Sequence, residues 1–148
     1  MREILFRAKT VKNVHWIWGD LFHAGTEPSD GEFAISYWDD EDGWMNENVQ
    51  PGTIGQFTGL TDKNGKRIFE GDIVECVSWN EYFSKDGKPM EPFRRKMFVD
   101  YRKGGFKMVE PMPEPMKDNE WDIIRNGDIV IIGNIYDDPQ LIDMKRFG

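Results

Sequence analysis

The sequence predicts a mainly β protein. Three observations lead there. Apolar residues alternate with polar ones in runs of six to nine residues, the period of a half-buried strand. Glycine, proline, asparagine and aspartate cluster between those runs, where a chain that reverses often needs them. Before residue 137 no segment sustains a helical apolar period for ten residues.

The elements follow in order. ILFRAKT (residues 4–10) places Ile4, Phe6 and Ala8 on one side and Leu5, Arg7 and Lys9 on the other. VHWIWGDLF follows, rich in β-branched and aromatic residues, with Lys12-Asn13 as the turn between the two. FAISYW (33–38) is a third strand, and GTEPSDG and DDEDG are loops. Asn64-Gly65 between apolar runs predicts a hairpin. RIFEGDIVECVSW reads as strand, tight turn and strand, and EYFSKDGKPMEPF as a loop. RRKMFVDYR and GFKMVE are strands joined at Lys103-Gly104-Gly105, and PMPEPMKDN, with its prolines, is an extended loop. WDII, the turn RNGD and the strand IVIIGNIY complete the pattern. The tail DDPQLIDMKRF predicts one short helix, capped by Asp137 or Asp138 with Pro139 in its first turn. Gly71-Asp72-Ile73-Val74 recurs as Gly127-Asp128-Ile129-Val130, which reads as one turn solution used twice.

Composition narrows the class. The 148 residues suit one domain or two small ones. A single cysteine, Cys76, rules out an internal disulfide and favours a reducing compartment. No apolar run reaches the roughly 20 residues of a membrane helix, and the charged start MREILFRAKT is unlike a signal peptide. The net charge of -8 is unevenly spread. Residues 13–62 hold ten acidic side chains and neither lysine nor arginine, whereas residues 63–107 hold eleven basic against seven acidic. The overall acidity argues against bulk nucleic-acid binding, because that affinity follows local positive charge.

Several motifs suggest chemistry and fail on spacing. GLTDKNGK (59–66) approaches a phosphate loop, but it has five residues between the glycines, not four. Arg67 stands where a hydroxyl belongs, and a strand pattern follows in place of a helix. The same segment lacks the terminal glutamate of a calcium loop. His15 and His23 have no cysteine partner and Cys76 is alone, so no metal site is expected. There is no GxSxG, and Cys76 alternates with Val74 and Ser78 as a buried structural thiol would. No catalytic residue and no cofactor is expected.

Two surfaces remain. Asp39, Asp40, Glu41 and Asp42, flanked by Trp38 and Trp44, form an acidic aromatic segment that could bind a basic partner. Arg94, Arg95, Lys96, Arg102, Lys103 and Lys107 interleave with Phe93, Phe98, Tyr101 and Phe106, a pattern that could hold single-stranded nucleic acid by charge and stacking. The bland reading of that second segment turns its aromatics to the core and its charges to water.

Four blocks carry a family resemblance: REILFRAK, His15 to Leu21 (HWIWGDL), TIGQFTGLTDKNGKRIFEGDIV (53–74) and IGNIYDDPQLI (132–142). Their order and spacing resemble the YopX-like family of phage and prophage proteins. Residues 24–50 and 80–118 show no such match, and RNGD departs from the pattern, which leaves the last hairpin's register open. The resemblance implies a phage-derived protein of the bacterial cytoplasm with a C-terminal SH3-like β-barrel, and it assigns no activity. The expectation is therefore a β-rich portion over residues 1–50, a small barrel over 51–148, and at most one or two short helices. Its function is expected to be non-enzymatic binding of a host or phage protein through Trp38–Trp44. Nucleic-acid binding through residues 93–107 is the alternative, and self-association stays open.

Overall fold

The computed structural model describes residues 3–25, 32–78, 93–123 and 129–142. Within them the protein is mainly β, with eleven strands in two antiparallel sheets and two single-turn 3-10 segments. The chain divides into two compact units, Met1–Gly59 and Leu60–Gly148.

The first unit is built on β1 (Phe6–Lys9), β2 (Trp16–His23), β3 (Phe33–Asp39), β4 (Gly43–Val49) and β5 (Gly55–Thr61). The order across the six-stranded sheet is β4-β3-β2-β1-β5-β6, so a four-strand meander is followed by β5, which returns beside the first strand, and by the short strand Arg67–Phe69 (β6) paired to β5. A 3-10 turn at Pro51–Thr53 joins β4 to β5, with proline in its first turn. At that corner Thr10 bridges Val49, and Gln50 N donates to Lys9 O at 2.8 Å. The meander therefore curls until its first and last strands meet there. One face holds the core of Ala8, Ile17, Ile35 and Val49, flanked by Phe6, Leu21, Phe33 and Tyr37. Gly19 is required by the close approach of β3, since a Cβ there would stand 2.1 Å from the Ser36 carbonyl oxygen.

The strand β4 is not among the predicted elements. Its inward positions are Met45, Glu47 and Val49, and the glutamate breaks the apolar alternation that would reveal it.

The second unit contains β6 (Arg67–Phe69), β7 (Asp72–Ser78), β8 (Phe93–Arg102), β9 (Gly105–Glu110), β10 (Asn119–Asp122) and β11 (Ile129–Asn134). Its five-stranded sheet has the order β10-β9-β8-β7-β11. As in the first sheet, a four-strand meander has the next strand beside its first, but no sixth strand follows among the described residues. The recurrence is one of topology. The second Gly-Asp turn, Gly127-Asp128, lies outside the described residues, as do RNGD and the loop 81–92.

Both faces of this second sheet are buried at its centre. Val74, Met97, Val99, Met108 and Ile129 pack with Ile68 on one face. Ile73, Phe98 and Val109 pack with Ile132, Ile135, Leu141 and Ile142 on the other. That explains the unbroken run Met97-Phe98-Val99 in β8, since a strand covered on both sides has no polar face. Cys76 is half-buried at the edge of the first of these clusters. The described pairings leave β10 and β11 at opposite edges of the sheet. The tail takes a different form from the predicted helix. Among the described residues it makes one 3-10 turn, Pro139–Leu141, after Asn134 Oδ1 accepts from the amides of Tyr136 and Asp137. Residues 143–148 are outside the described set.

Candidate functional site

The hairpin between β3 and β4 presents the acidic aromatic segment. Asp39 pairs with Gly43, leaving Asp40, Glu41 and Asp42 as a three-residue tip, and Gly43 takes the positive φ of 79° that closes such a turn. Asp39 Oδ1 accepts from the amides of Glu41 (2.8 Å) and Asp42 (3.0 Å). Its carboxylate is thus a turn organiser, while Asp40, Glu41 and Asp42 are exposed. Trp38 and Trp44 face each other across the two strands and meet edge to face, ring centroids 5.6 Å apart at 78°. Trp38 Nε1 donates to Asp40 Oδ1 at 3.2 Å.

Neighbouring strands extend this surface. The alternation of β2 puts Trp16, Trp18, Asp20 and Phe22 on the sheet face that also carries Trp38 and Trp44, opposite the core. Trp18, Phe22, Trp38 and Trp44 are 49%, 40%, 59% and 67% exposed. Together they leave on the order of 400 Å² of aromatic surface in water, the size at which a monomer's apolar patch is often functional. A shallow groove of about 540 Å³ runs over this face, lined by His15, Trp16, Trp18, Asp20, Trp38 and Trp44 among others. At its β1 side the Arg7 guanidinium lies 4.8 Å from the Trp16 ring centroid, and the Lys9 ammonium 5.6 Å. The sequence singled out Trp38 and Trp44. It gave no reason to add Trp16 and Trp18, because their place beside β3 depends on a cross-strand pairing.

The ten acids of residues 13–62 do not form one face. Asp20 lines the groove, Asp40 bonds the indole of groove-lining Trp38, and Glu47 points to the core side, where it accepts from the Tyr37 hydroxyl at 2.6 Å. That hydrogen bond, with burial and the negative charge of Glu47, Asp39 and Asp42, raises the Tyr37 pKa to about 12. Asp62 is buried in a turn of the second unit, and Glu27 and Asp30 lie outside the described residues.

The Asp62–Lys66 segment forms the predicted hairpin, with an internal device the sequence reading did not specify. Asp62 N donates to Lys66 O, Gly65 N to Asp62 O, and Gly65 has φ 80°. Asp62 Oδ1 accepts from the amides of Asn64 and Lys66, both at 2.9 Å, and Oδ2 from Ile131 N at 3.0 Å. Burial pushes this carboxyl up. The three amides and the Lys66 charge outweigh it and hold the group below its ordinary value. The glycine-rich motif thus spends its hydrogen-bonding groups on itself and on β11.

The basic segment is engaged with carboxylates. Arg94 binds Glu75 at 2.9 Å, and Arg95 binds Glu110 at 3.0 Å with its guanidinium 5.3 Å from the Trp121 ring centroid. Arg102 meets Asp100 and Glu120, each at 2.9 Å, and Lys103 meets Glu120 at 2.8 Å. Lys107 pairs with Asp122. Burial would lower the Arg102 pKa, but the bonds to Asp100 and Glu120 raise it overall, and Lys103 and Arg102 lower that of Glu120. The strand alternation puts Arg94, Lys96 and Arg102 on one face and Arg95 with Tyr101 on the other. Lys96 is exposed, and Tyr101, 55% exposed, meets Phe106 edge to face at 5.3 Å. Phe98 is buried, and the side chain of Phe93 is outside the described set. The structure therefore does not gather these residues into one basic aromatic strip.

His15 and His23 are separated: the first lines the groove, and the second meets Phe33 edge to face at 5.7 Å. No group of three or more metal-ligating side chains occurs among the described residues, and no helix there is long and apolar enough to cross a membrane.

A protein-family model described as YopX protein matches residues 5–143 of the chain. The crystal structure of protein EF1440 from Enterococcus faecalis is similar in fold, with a TM-score of 0.53 and 20% sequence identity. That match covers 97% of this chain and 100% of the other. No curated protein matches.

Proposed function

The chain belongs to the YopX protein family, and from that premise we propose that it is a non-enzymatic accessory protein that binds a protein partner. The observation that carries this reading is the exposed face of Trp18, Phe22, Trp38 and Trp44 beside an acidic hairpin tip. Aromatic side chains are the ones most enriched at binding hot spots. Leaving four of them in water costs stability that an interface would recover. A phage or prophage origin, and action in the bacterial cytoplasm, go with this reading through the family resemblance. So does an SH3-like small barrel, which the five-stranded meander order β10-β9-β8-β7-β11 of the second unit supports.

The test is recovery of partners from a bacterial lysate by the full chain. The comparison is a variant with Asp40→Asn, Glu41→Gln and Asp42→Asn, and another with Trp38→Ser and Trp44→Ser. Partners captured by the wild type are expected to be lost from both variants. The same partners recovered in all three would overturn the reading.

A further inference from the structure

We propose that the groove over β2, β3 and β4 receives lysine or arginine side chains from an extended basic segment of the partner, seated on Trp38 and Trp44 beside Asp20 and Asp40. This rests on the binding reading above and names the chemistry of the ligand.

Four observations point to a cation. Indole faces are electron-rich and attract ammonium and guanidinium groups, and the Trp38 and Trp44 rings form an exposed edge-to-face corner. Asp40 accepts the Trp38 indole N–H, which sets a negative charge at the ring edge and strengthens the ring's pull on a cation. The same sheet face already shows the interaction in use, for Arg7 and Lys9 of β1 stand over Trp16. Finally, residues 13–62 contain no lysine or arginine, so β2, β3 and β4 bring no cation of their own to Trp18, Trp38 and Trp44. Asp20 in the groove lining, and Asp40 bonded to the groove-lining Trp38, add negative charge complementary to a basic segment. At about 540 Å³ it has room for more than one side chain.

The experiment titrates the full-length protein with hexa-arginine, hexalysine and hexaglutamate, following tryptophan fluorescence. Saturable binding of the two basic peptides is expected, with none of hexaglutamate. Trp44→Ala is expected to weaken basic-peptide binding about tenfold, Trp44→Phe less, and Asp40→Asn by a few-fold. Trp44 is 67% exposed, so its truncation leaves the core intact, which circular dichroism would verify. Three results would each overturn the proposal: binding of hexaglutamate or a neutral oligosaccharide as tight as that of hexa-arginine, basic-peptide affinity unchanged in Trp44→Ala, or self-association in sedimentation that Trp44→Ala abolishes. The last would assign the face to a second copy of the chain. If the basic peptides do not bind but Trp38→Ser with Trp44→Ser still loses its lysate partner, the cation receptor falls and the binding face stands. If neither experiment responds, both fall.

Discussion

Asp39, the last residue of β3, and Asp62 both serve hairpin turns, yet their carboxylates hold different partners. Asp39 organises an exposed turn through two amides of its own hairpin. Asp62 is buried and also holds the amide of Ile131, sixty-nine residues along the chain. Losing that acceptor would leave backbone donors unsatisfied, each costing about 1–3 kcal/mol. Asp62→Asn keeps the shape but supplies one good acceptor oxygen in place of two. It is therefore expected to lower stability by about 1–3 kcal/mol in urea unfolding. The sign of the pH effect follows from the direction of the shift. The carboxyl ionises more easily folded than unfolded, so its contribution is complete above the unfolded value near 3.8 and is lost as pH falls through the lower folded value. The acid limb of the wild-type stability curve should thus be steeper than that of Asp62→Asn. The sequence marked Asp62 as a turn residue. Its bond to β11 could not be read there, because no local spacing relates residues 62 and 131.

Turns divide in the same way. Gly65 and Gly71 both have positive φ, 80° and 89°, in motifs that look alike on paper. A Cβ at Gly65 would meet nothing within 4 Å, whereas one at Gly71 would stand 2.8 Å from Tyr136 Cε2. Gly65→Ala should therefore cost about 1–2 kcal/mol for the left-handed backbone. Gly71→Ala should cost a further 1–3 kcal/mol from crowding. Thermal unfolding of the two variants would check the ranking, and equal losses would show that Tyr136 yields without penalty. Strands show a parallel division. The alternation in β1 and β3 was legible because their inner positions are apolar. That of β4 was hidden by Glu47, which is accommodated on the core side by the Tyr37 hydroxyl.

Across the whole molecule the charge blocks of the sequence are redistributed by pairing. The basic stretch of β8 and the turn after it faces Glu75, Glu110 and Glu120 from neighbouring strands and Asp118 just before β10. Exposed pairs of this kind contribute little stability each, about 0–1 kcal/mol. Their consequence is electrostatic: they reduce the local positive charge on which phosphate binding depends. No mobility shift with single- or double-stranded DNA or RNA at low salt is therefore expected. A shift that weakens steeply with added salt would favour the nucleic-acid reading. The acidic stretch is dispersed too, some of it to the groove and some to turns or the inner side of a strand.

The sequence by itself determined the β class, the positions of most turns, the failure of the phosphate-loop spacing and the family, because each depends on residues near one another in the chain or on recurring blocks. Tertiary structure decided the rest. It set the strand order of each sheet, placed Trp16 and Trp18 beside Trp38 and Trp44, joined Asp62 to Ile131 and matched the basic strand with carboxylates. All of these depend on which strand lies next to which, and hydrogen-bond register between distant segments is not written in any local pattern.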